Sequence, residues 1–323
     1  MTHWQPASGP AAARSRASML RRIRHYFDNA DVLEVDTPAL SPHAVSDTQI
    51  ESFGIPVSAV SRSPLFLQTS PEFCMKRLLA SGYPDIFSIC RVFRDGENGR
   101  RHQPEFTMIE WYRLGFDLRE IIADTIAVIR AALPKTLVAA EPVSIDYRDC
   151  FLQTLGFDPL TANIEDLARI ADADTDLQQS IGAHRDDWLD LIFTTRIAPT
   201  FAADCLTVLR HYPASQAALA RLCPDDSRVA DRFEVFLGAV ELANGYVELT
   251  DAAEQSHRMQ HDNANRRSRD REVRPHDTNL LAALEAGLPD CAGVAMGLER
   301  LQMIHDNTDD IADVLTFSFE ATQ

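Results

Sequence analysis

"DIFSICRVFRDGENGRRHQPEFTMIEWYRL", residues 85–114, decides the fold. Its two ends, 85–94 and 104–114, are rich in β-branched and aromatic residues and read as strands. The polar, Gly-containing residues between them make a hairpin with a long loop, so the pair is antiparallel. Alternation puts Phe106, Met108, Glu110 and Tyr112 on one face of the second strand, with Thr107, Ile109 and Trp111 on the other. A carboxylate and a phenol beside a ring suit a pocket that holds a cation at one end and a flat ring at the other. The loop region supplies Arg94, Arg100, Arg101 and His102, and the guanidinium groups of the arginines match phosphate oxygens. A solvated, charged loop is the plainer account of the same residues.

Outward from this hairpin, strands and helices interleave. Met19, Ile23, Phe27 and Ala30 recur at helical spacing, and "VLEVDTP" follows as a short strand stopped by Pro38. "QTSPEFCMKRLLASG" is a helix with Ser70 as N-cap and Gly82 at its end. Residues 117–133 are a helix opened by an Asp/Glu capping pattern. Residues 160–230 read as mostly helical, with one strand near "CLTVLRHYP". "TDAAEQSHRMQHDNANRRSRDREV" and "NLLAALEAG" are helices, and "CAGVAMGLERLQMIHD" is a strand running into a helix. Adjacent hairpins among helices indicate an α+β fold, an antiparallel sheet flanked by helices. Residues 1–16 are expected as a flexible arm and 17–323 as one domain.

A second hairpin is expected in "VELANGYVEL", residues 240–249. Asn244-Gly245 is a strong two-residue turn signal, and a turn there sets Glu241 opposite Glu248. Facing carboxylates repel unless both reach solvent or a cation bridges them. The second case proposes Mg²⁺ and, with it, a nucleotide. In "CAGVAMGLER", Gly293, Ala295 and Gly297 share one nearly flat strand face that admits close approach. Arg300 then falls in the first helical turn, against the helix dipole, which gives its guanidinium another task. Close packing of strand on helix is the plainer alternative.

Composition narrows the function. The chain has 323 residues, is 45% hydrophobic and carries a formal charge of -17, which disfavours a main task of gripping nucleic acid. Its six cysteines, at 74, 90, 150, 205, 223 and 291, include no C-x-x-C pair and no zinc-site spacing, so reduced thiols in a cytoplasmic protein are expected. No secretory signal and no apolar run long enough to span a membrane is present. The basic run "NRRSRDREVR" (265–274) reads as a solvated face, with an acidic protein partner as the alternative.

In this order the constellations resemble the class II aminoacyl-tRNA synthetases. "FR…RHQPEFTMIEWY" is similar to motif 2 and "GVAMGLERL" to motif 3. "VLEVDTPAL", with its helix, is similar to motif 1, the dimer-forming element. "ELANGYVELTD" and "TSPEF" resemble lysyl-tRNA synthetases. The whole, with "YPASQAALA" and "LPDCAGVAMG" and with no room for an anticodon-reading domain ahead of motif 1, closely resembles the elongation factor P–(R)-β-lysine ligase family. The resemblance implies an ATP-dependent, AMP-forming ligase that joins (R)-β-lysine, or lysine, to a lysine of elongation factor P, without tRNA and as a homodimer. A truncated lysyl-tRNA synthetase-like enzyme acting on RNA and a non-catalytic regulatory paralogue are the alternatives.

It also implies roles. Arg94 binds the α-phosphate, His102 the other phosphates, and Phe106 and Arg300 sandwich the adenine. Asp95, Gly96, Glu97, Gln103, Leu242 and Gly297 complete the ATP site. Glu241 and Glu248 hold Mg²⁺. Ser70, Glu72, Glu110, Tyr112 and Glu248 surround the substrate's two ammonium groups. Ala295 stands where lysyl-tRNA synthetases carry glycine, a methyl that reshapes the pocket toward a β-amino acid. The chain departs from the family's F-R-N-E at Asp95-Gly96, with Glu97 one place later, and carries Gln103 where Asn is usual.

Overall fold

The computed structural model describes residues 4–57, 59 and 61–320. Residues 1–3 of the expected arm and 321–323 of the expected domain lie outside these. The chain divides into two compact units, 1–134 with 248–323, and 135–247.

In the first unit, helix α1 (Pro10–Asn29) starts seven residues before Ala17, so residues 10–16 are helix rather than arm. Pro10 suits the first helical turn, where its missing N–H leaves no bond unmade. Met19, Ile23 and Phe27 are fully buried, as their spacing requires. The strand expected at "VLEVDTP" shrinks to β1 (Leu33–Glu34). A small sheet unread in the sequence follows, from β2 (Leu40–Ser41), β3 (Gly54–Ile55) and β4 (Leu65–Leu67), in the order β2-β4-β3. Helix α2 is Glu72–Ala80. The deciding hairpin is β5 (Ile86–Phe93) against β6 (Glu105–Leu114), antiparallel throughout. Helix α3 (Leu118–Ala132) carries the expected capping box of Asp117 and Glu120.

The second unit contains β7 (Val143–Asp146), the helices α4 (Tyr147–Leu155), α5 (Ile164–Ile170), α6 (Thr175–Ile181) and α7 (Arg185–Ile192), and then β8 (Leu206–Arg210), β9 (Arg232–Leu237) and β10 (Val240–Val247). Its strands run in the order β7-β8-β9-β10, the first pair parallel and the others antiparallel. Tyr147, Phe151, Trp188, Leu189 and Ile192 centre its core.

The chain then re-enters the first unit with α8 (Ala252–Ser268), α9 (Thr278–Gly287), β11 (Cys291–Gly297) and α10 (Leu298–Asp306). Strands β1, β5, β6 and β11 lie in that order, β1 parallel to β5 and the rest antiparallel. One face of β5 and β6 packs on α1, where Phe27 stacks on Phe87 with ring centroids 4.3 Å apart. The face with Glu110 and Tyr112 is the site.

Candidate active site

The site's floor is set by register. On β11, Gly293 pairs with Tyr112, Ala295 with Glu110 and Gly297 with Met108, so the flat face expected from sequence lies beside the polar residues of β6. Gly293 is required there. A Cβ on it would meet Tyr112 Cε1 at 2.5 Å and collide with Glu248 Oε1.

Glu110 is 3% exposed and accepts from Ser70 Oγ at 2.6 Å and from Tyr112 OH at 2.8 Å. Ser70 Oγ in turn accepts the Glu72 N–H at 3.0 Å, so one hydroxyl ties the start of α2 to the strand. Burial pushes the Glu110 carboxyl up to about 8; the charge on Glu72 adds to the rise and the two hydroxyl donors oppose it.

Lys76, one turn along α2 from Glu72, sits between carboxylates. Its Nζ is 2.7 Å from Glu72 Oε1 and 2.5 Å from Glu248 Oε2, and the lysine is 1% exposed. Burial works against its charge, but Glu248 and Glu72 outweigh that and hold its pKa above the ordinary lysine value. Burial pushes Glu248 up as well, against the pull of Lys76. The proton of the Lys76–Glu248 pair stays on the lysine. Glu110, with no cation in hydrogen-bond contact, is the carboxyl that carries an extra proton near neutrality. Two carboxylates thus share one ammonium, and the Glu110 carboxyl beside them can ionise to meet further cationic charge. The sequence reading missed Lys76. The signal was the i, i+4 spacing from Glu72, which also describes any solvated helix pair.

The phosphate-side residues gather on the hairpin loop and α10. Arg94 lies over the Phe106 ring, 5.2 Å from its centroid, and its Nη1 is 3.5 Å from Glu97 Oε1. Glu97 therefore reaches Arg94 from one place later than the family pattern, across Gly96, whose φ of 81° is left-handed and suits glycine. Asp95 is exposed. Gly99 and His102 pair across the loop tip, and Arg300 Nη2 donates to His102 Nε2 at 2.8 Å. Gln103 is 4% exposed, and its Oε1 accepts the Phe319 N–H at 2.6 Å, which makes it an anchor for the chain's last described turn. Beneath this loop, buried Glu299 accepts from the Thr107 N–H at 2.9 Å and pairs with Arg16 of α1 at 3.0 Å.

The Asn244-Gly245 turn does not form. Asn244 pairs with Glu234 and Gly245 with Phe233, so both lie inside β10. The turn comes earlier, between Leu237 and Val240, where Gly238 takes a φ of 54°. Asn244 is held in the strand by Arg232, whose Nε donates to its Oδ1 at 3.2 Å. Glu241 consequently pairs with Phe236 and does not face Glu248 across a turn. Glu248 is taken up by Lys76, which fits a substrate pocket better than a metal site. Leu242 is buried, backbone included. A different donor set suits a hard divalent ion. Burial, then the charge on Glu241, pushes Glu234 up to about 7. A carboxyl pushed toward protonation by a neighbouring carboxylate is one that Mg²⁺ would relieve. Glu234 and Glu241 are the residues that would hold it, while Arg232 pairs with Glu234 at 2.6 Å.

The basic run 265–274 is not a free cationic face. Arg266 is fully buried, donating to Glu51 at 2.6 Å, to the Asp47 carbonyl at 3.0 Å and to the Glu272 carbonyl at 2.7 Å. Arg274 also pairs with Glu51.

The family model for class II tRNA synthetases (D, K and N) matches residues 8–321. The chain belongs to that family. Among curated relatives, the elongation factor P–(R)-β-lysine ligase of Pseudoalteromonas translucida is 43% identical, over 97% of this chain and 97% of its own. Those of Photorhabdus laumondii and Pectobacterium carotovorum are each 42% identical, covering 98% and 99% of this chain. The protein is an enzyme of this ligase group and depends on ATP. None of its described helices is long and apolar enough to cross a membrane.

Proposed function

We propose that this enzyme activates (R)-β-lysine as an aminoacyl-adenylate and transfers it to the side-chain amine of a lysine on elongation factor P, in the cytoplasm and as a homodimer, with residues 17–323 acting as one catalytic domain. The observation that carries the reading is the buried group of Glu72, Glu110 and Glu248 with Lys76 as its one ammonium. Three carboxyl groups against one cation, with Glu110 able to ionise as a cation binds, favour a substrate with two ammonium groups, which distinguishes lysine-like acids from neutral ones. The relatives' printed names and the match across nearly the full chain support the same conclusion.

In the first step the substrate carboxylate attacks the α-phosphorus of ATP. A new P–O bond forms and pyrophosphate leaves. The carboxylate is already ionised, so catalysis is positioning and charge stabilisation. Arg94, His102 and Arg300 bind the phosphates and base, and Phe106 offers a face to the adenine. Asp95, Gly96 and Glu97 shape the loop around them, and Gly297 keeps the strand face open. Ser70 and Tyr112 orient Glu110 toward the substrate amine, and the Ala295 methyl narrows the space beside it. Glu241, with Glu234 beside it, would hold Mg²⁺, an ion whose chemistry is to neutralise phosphate charge. In the second step the neutral acceptor amine attacks the adenylate carbonyl, an amide forms and AMP leaves.

The test is amino-acid-dependent ATP–pyrophosphate exchange with (R)-β-lysine and L-α-lysine, followed by intact-mass analysis of elongation factor P. Preferred exchange with (R)-β-lysine and a mass gain on the protein support the reading. Exchange followed by labelling of tRNA in place of the protein would reject the acceptor, and no exchange would reject the adenylate.

A further inference from the structure

We propose that His211, Cys223 and Asp231 form a second site, for a borderline-soft divalent metal ion of the zinc type. One donor atom from each lies within 4.8 Å of the other two. None of the three belongs to the amino-acid pocket or the phosphate loop. Their spacing hides them in the sequence: Cys223 is twelve residues from His211 and eight from Asp231.

A single closed excursion between β8 and β9 brings them together. The Ala230 N–H donates to the Tyr212 carbonyl at 2.8 Å, Ala214 to Arg228 at 2.8 Å and Cys223 to Val229 at 2.9 Å. His211 opens the excursion with a φ of 57°, a left-handed conformation that a non-glycine residue holds only when its surroundings impose it. Its N–H is fixed to the Arg232 carbonyl at 2.9 Å.

The donors are also prepared. His211 Nδ1 lies 3.1 Å from Asp146 Oδ1, so a metal on Nε2 would leave that contact intact. A carboxylate behind a ligating imidazole fixes its tautomer and raises its basicity, as in many zinc sites. Asp231 is 5% exposed; its Oδ2 takes Arg221 Nε at 3.0 Å, which leaves Oδ1 for an ion. Cys223 is a free, half-buried thiol. A thiol and an imidazole together select zinc or cobalt over magnesium or calcium. Zinc bond lengths put neighbouring tetrahedral donors about 3.5 Å apart, so ligation draws the three together by about 1 Å, with water as a fourth ligand. On binding, the Cys223 thiol gives its proton to solvent and no redox change occurs. The ion would pin the excursion shut.

The test uses the full chain, reduced, chelator-treated and dialysed, then titrated with Co²⁺. The expected result is a near-ultraviolet thiolate-to-cobalt charge-transfer band that saturates at one ion per chain and is displaced by Zn²⁺. Cys223→Ser abolishes the band, and Cys205→Ser leaves it unchanged. Asp146→Asn keeps the band but weakens binding by roughly tenfold or more. Circular dichroism of each metal-free variant separates loss of binding from loss of fold. Absence of the band in the unaltered chain, or its survival in Cys223→Ser, would overturn the proposal.

Discussion

Replacing Lys76 by Met tests the charge arrangement of the pocket with little change in volume. The two carboxylates it serves differ in access to water: the Glu72 side chain is 15% exposed and that of Glu248 is 0% exposed. Glu72 can turn toward solvent, so the penalty falls on Glu248. A buried carboxylate stripped of its cation takes up a proton instead of staying charged. In the unfolded chain the ordinary glutamate value is 4.5. Keeping Glu248 protonated in the fold at pH 7, well above that value, therefore costs roughly 3 kcal/mol. This lies within the roughly 3–5 kcal/mol expected when one partner of a buried pair is removed. The sign fixes the pH dependence. The folded variant holds a proton that the unfolded chain has lost, so its stability falls as pH rises, and the deficit against the unaltered chain shrinks to under about 1 kcal/mol at pH 5. Urea unfolding at the two pH values measures both. In exchange assays the KM for the amino acid should rise by about tenfold or more while the KM for ATP holds, because a neutral Glu248 no longer attracts an ammonium. A deficit that does not vary between pH 5 and 7, or an unchanged amino-acid KM, would refute the assignment.

Gly293→Ala should raise the KM for the amino acid at least about tenfold with ATP binding intact, since the new methyl collides with Tyr112 and Glu248; binding of each substrate by calorimetry checks the split. Substrate affinity should rise with pH up to about 8, because Glu110 sheds its proton there and a dication prefers the carboxylate. Calorimetry in buffers of different ionisation enthalpy should accordingly detect a proton released on binding at pH 7, and none in Glu110→Gln. Arg266→Met should destabilise the fold by about 3 kcal/mol, as it leaves two carbonyls without their donor and removes one of the two arginines on Glu51, and urea unfolding measures it.

Where local chemistry determines structure, the sequence was informative. The β5–β6 pair follows from alternation, the start of α3 from Asp117 and Glu120, and the buried stripe of α1 from Met19, Ile23 and Phe27. Ser70, Glu72, Glu110, Tyr112 and Glu248 are linked through hydrogen bonds and the Lys76 ion pairs, and Ala295 pairs with Glu110 in the sheet. What stayed hidden is non-local. The strands of the small sheet have two or three residues each, too few for a period. A lysine on a helix reads as solvated until the fold brings Glu248 over it. Gln103 stands in the ATP motif, yet its partner is Phe319, far along the chain.

The repulsion expected at Glu241 and Glu248 is resolved by separate partners. An Asn-Gly pair is a strong turn signal only while nothing competes for the asparagine. Here Arg232 holds Asn244 extended, and Gly238 supplies the positive φ that the turn needs a few residues earlier. Moving the turn keeps both carboxylates on one continuous run without making them neighbours across a hairpin. Glu248 then meets a lysine and Glu241 influences Glu234. The arrangement assigns two chemistries to one short segment. A carboxylate already balanced by a fixed ammonium can receive an organic cation at modest electrostatic strain, whereas a carboxyl pushed toward protonation by a neighbouring carboxylate favours an ion of higher charge density. On this reasoning we propose Glu248 for the amino acid and Glu241 for the metal. Glu234→Gln should therefore weaken the Mg²⁺ dependence of exchange while leaving amino-acid affinity unchanged, and Glu248→Gln should do the reverse.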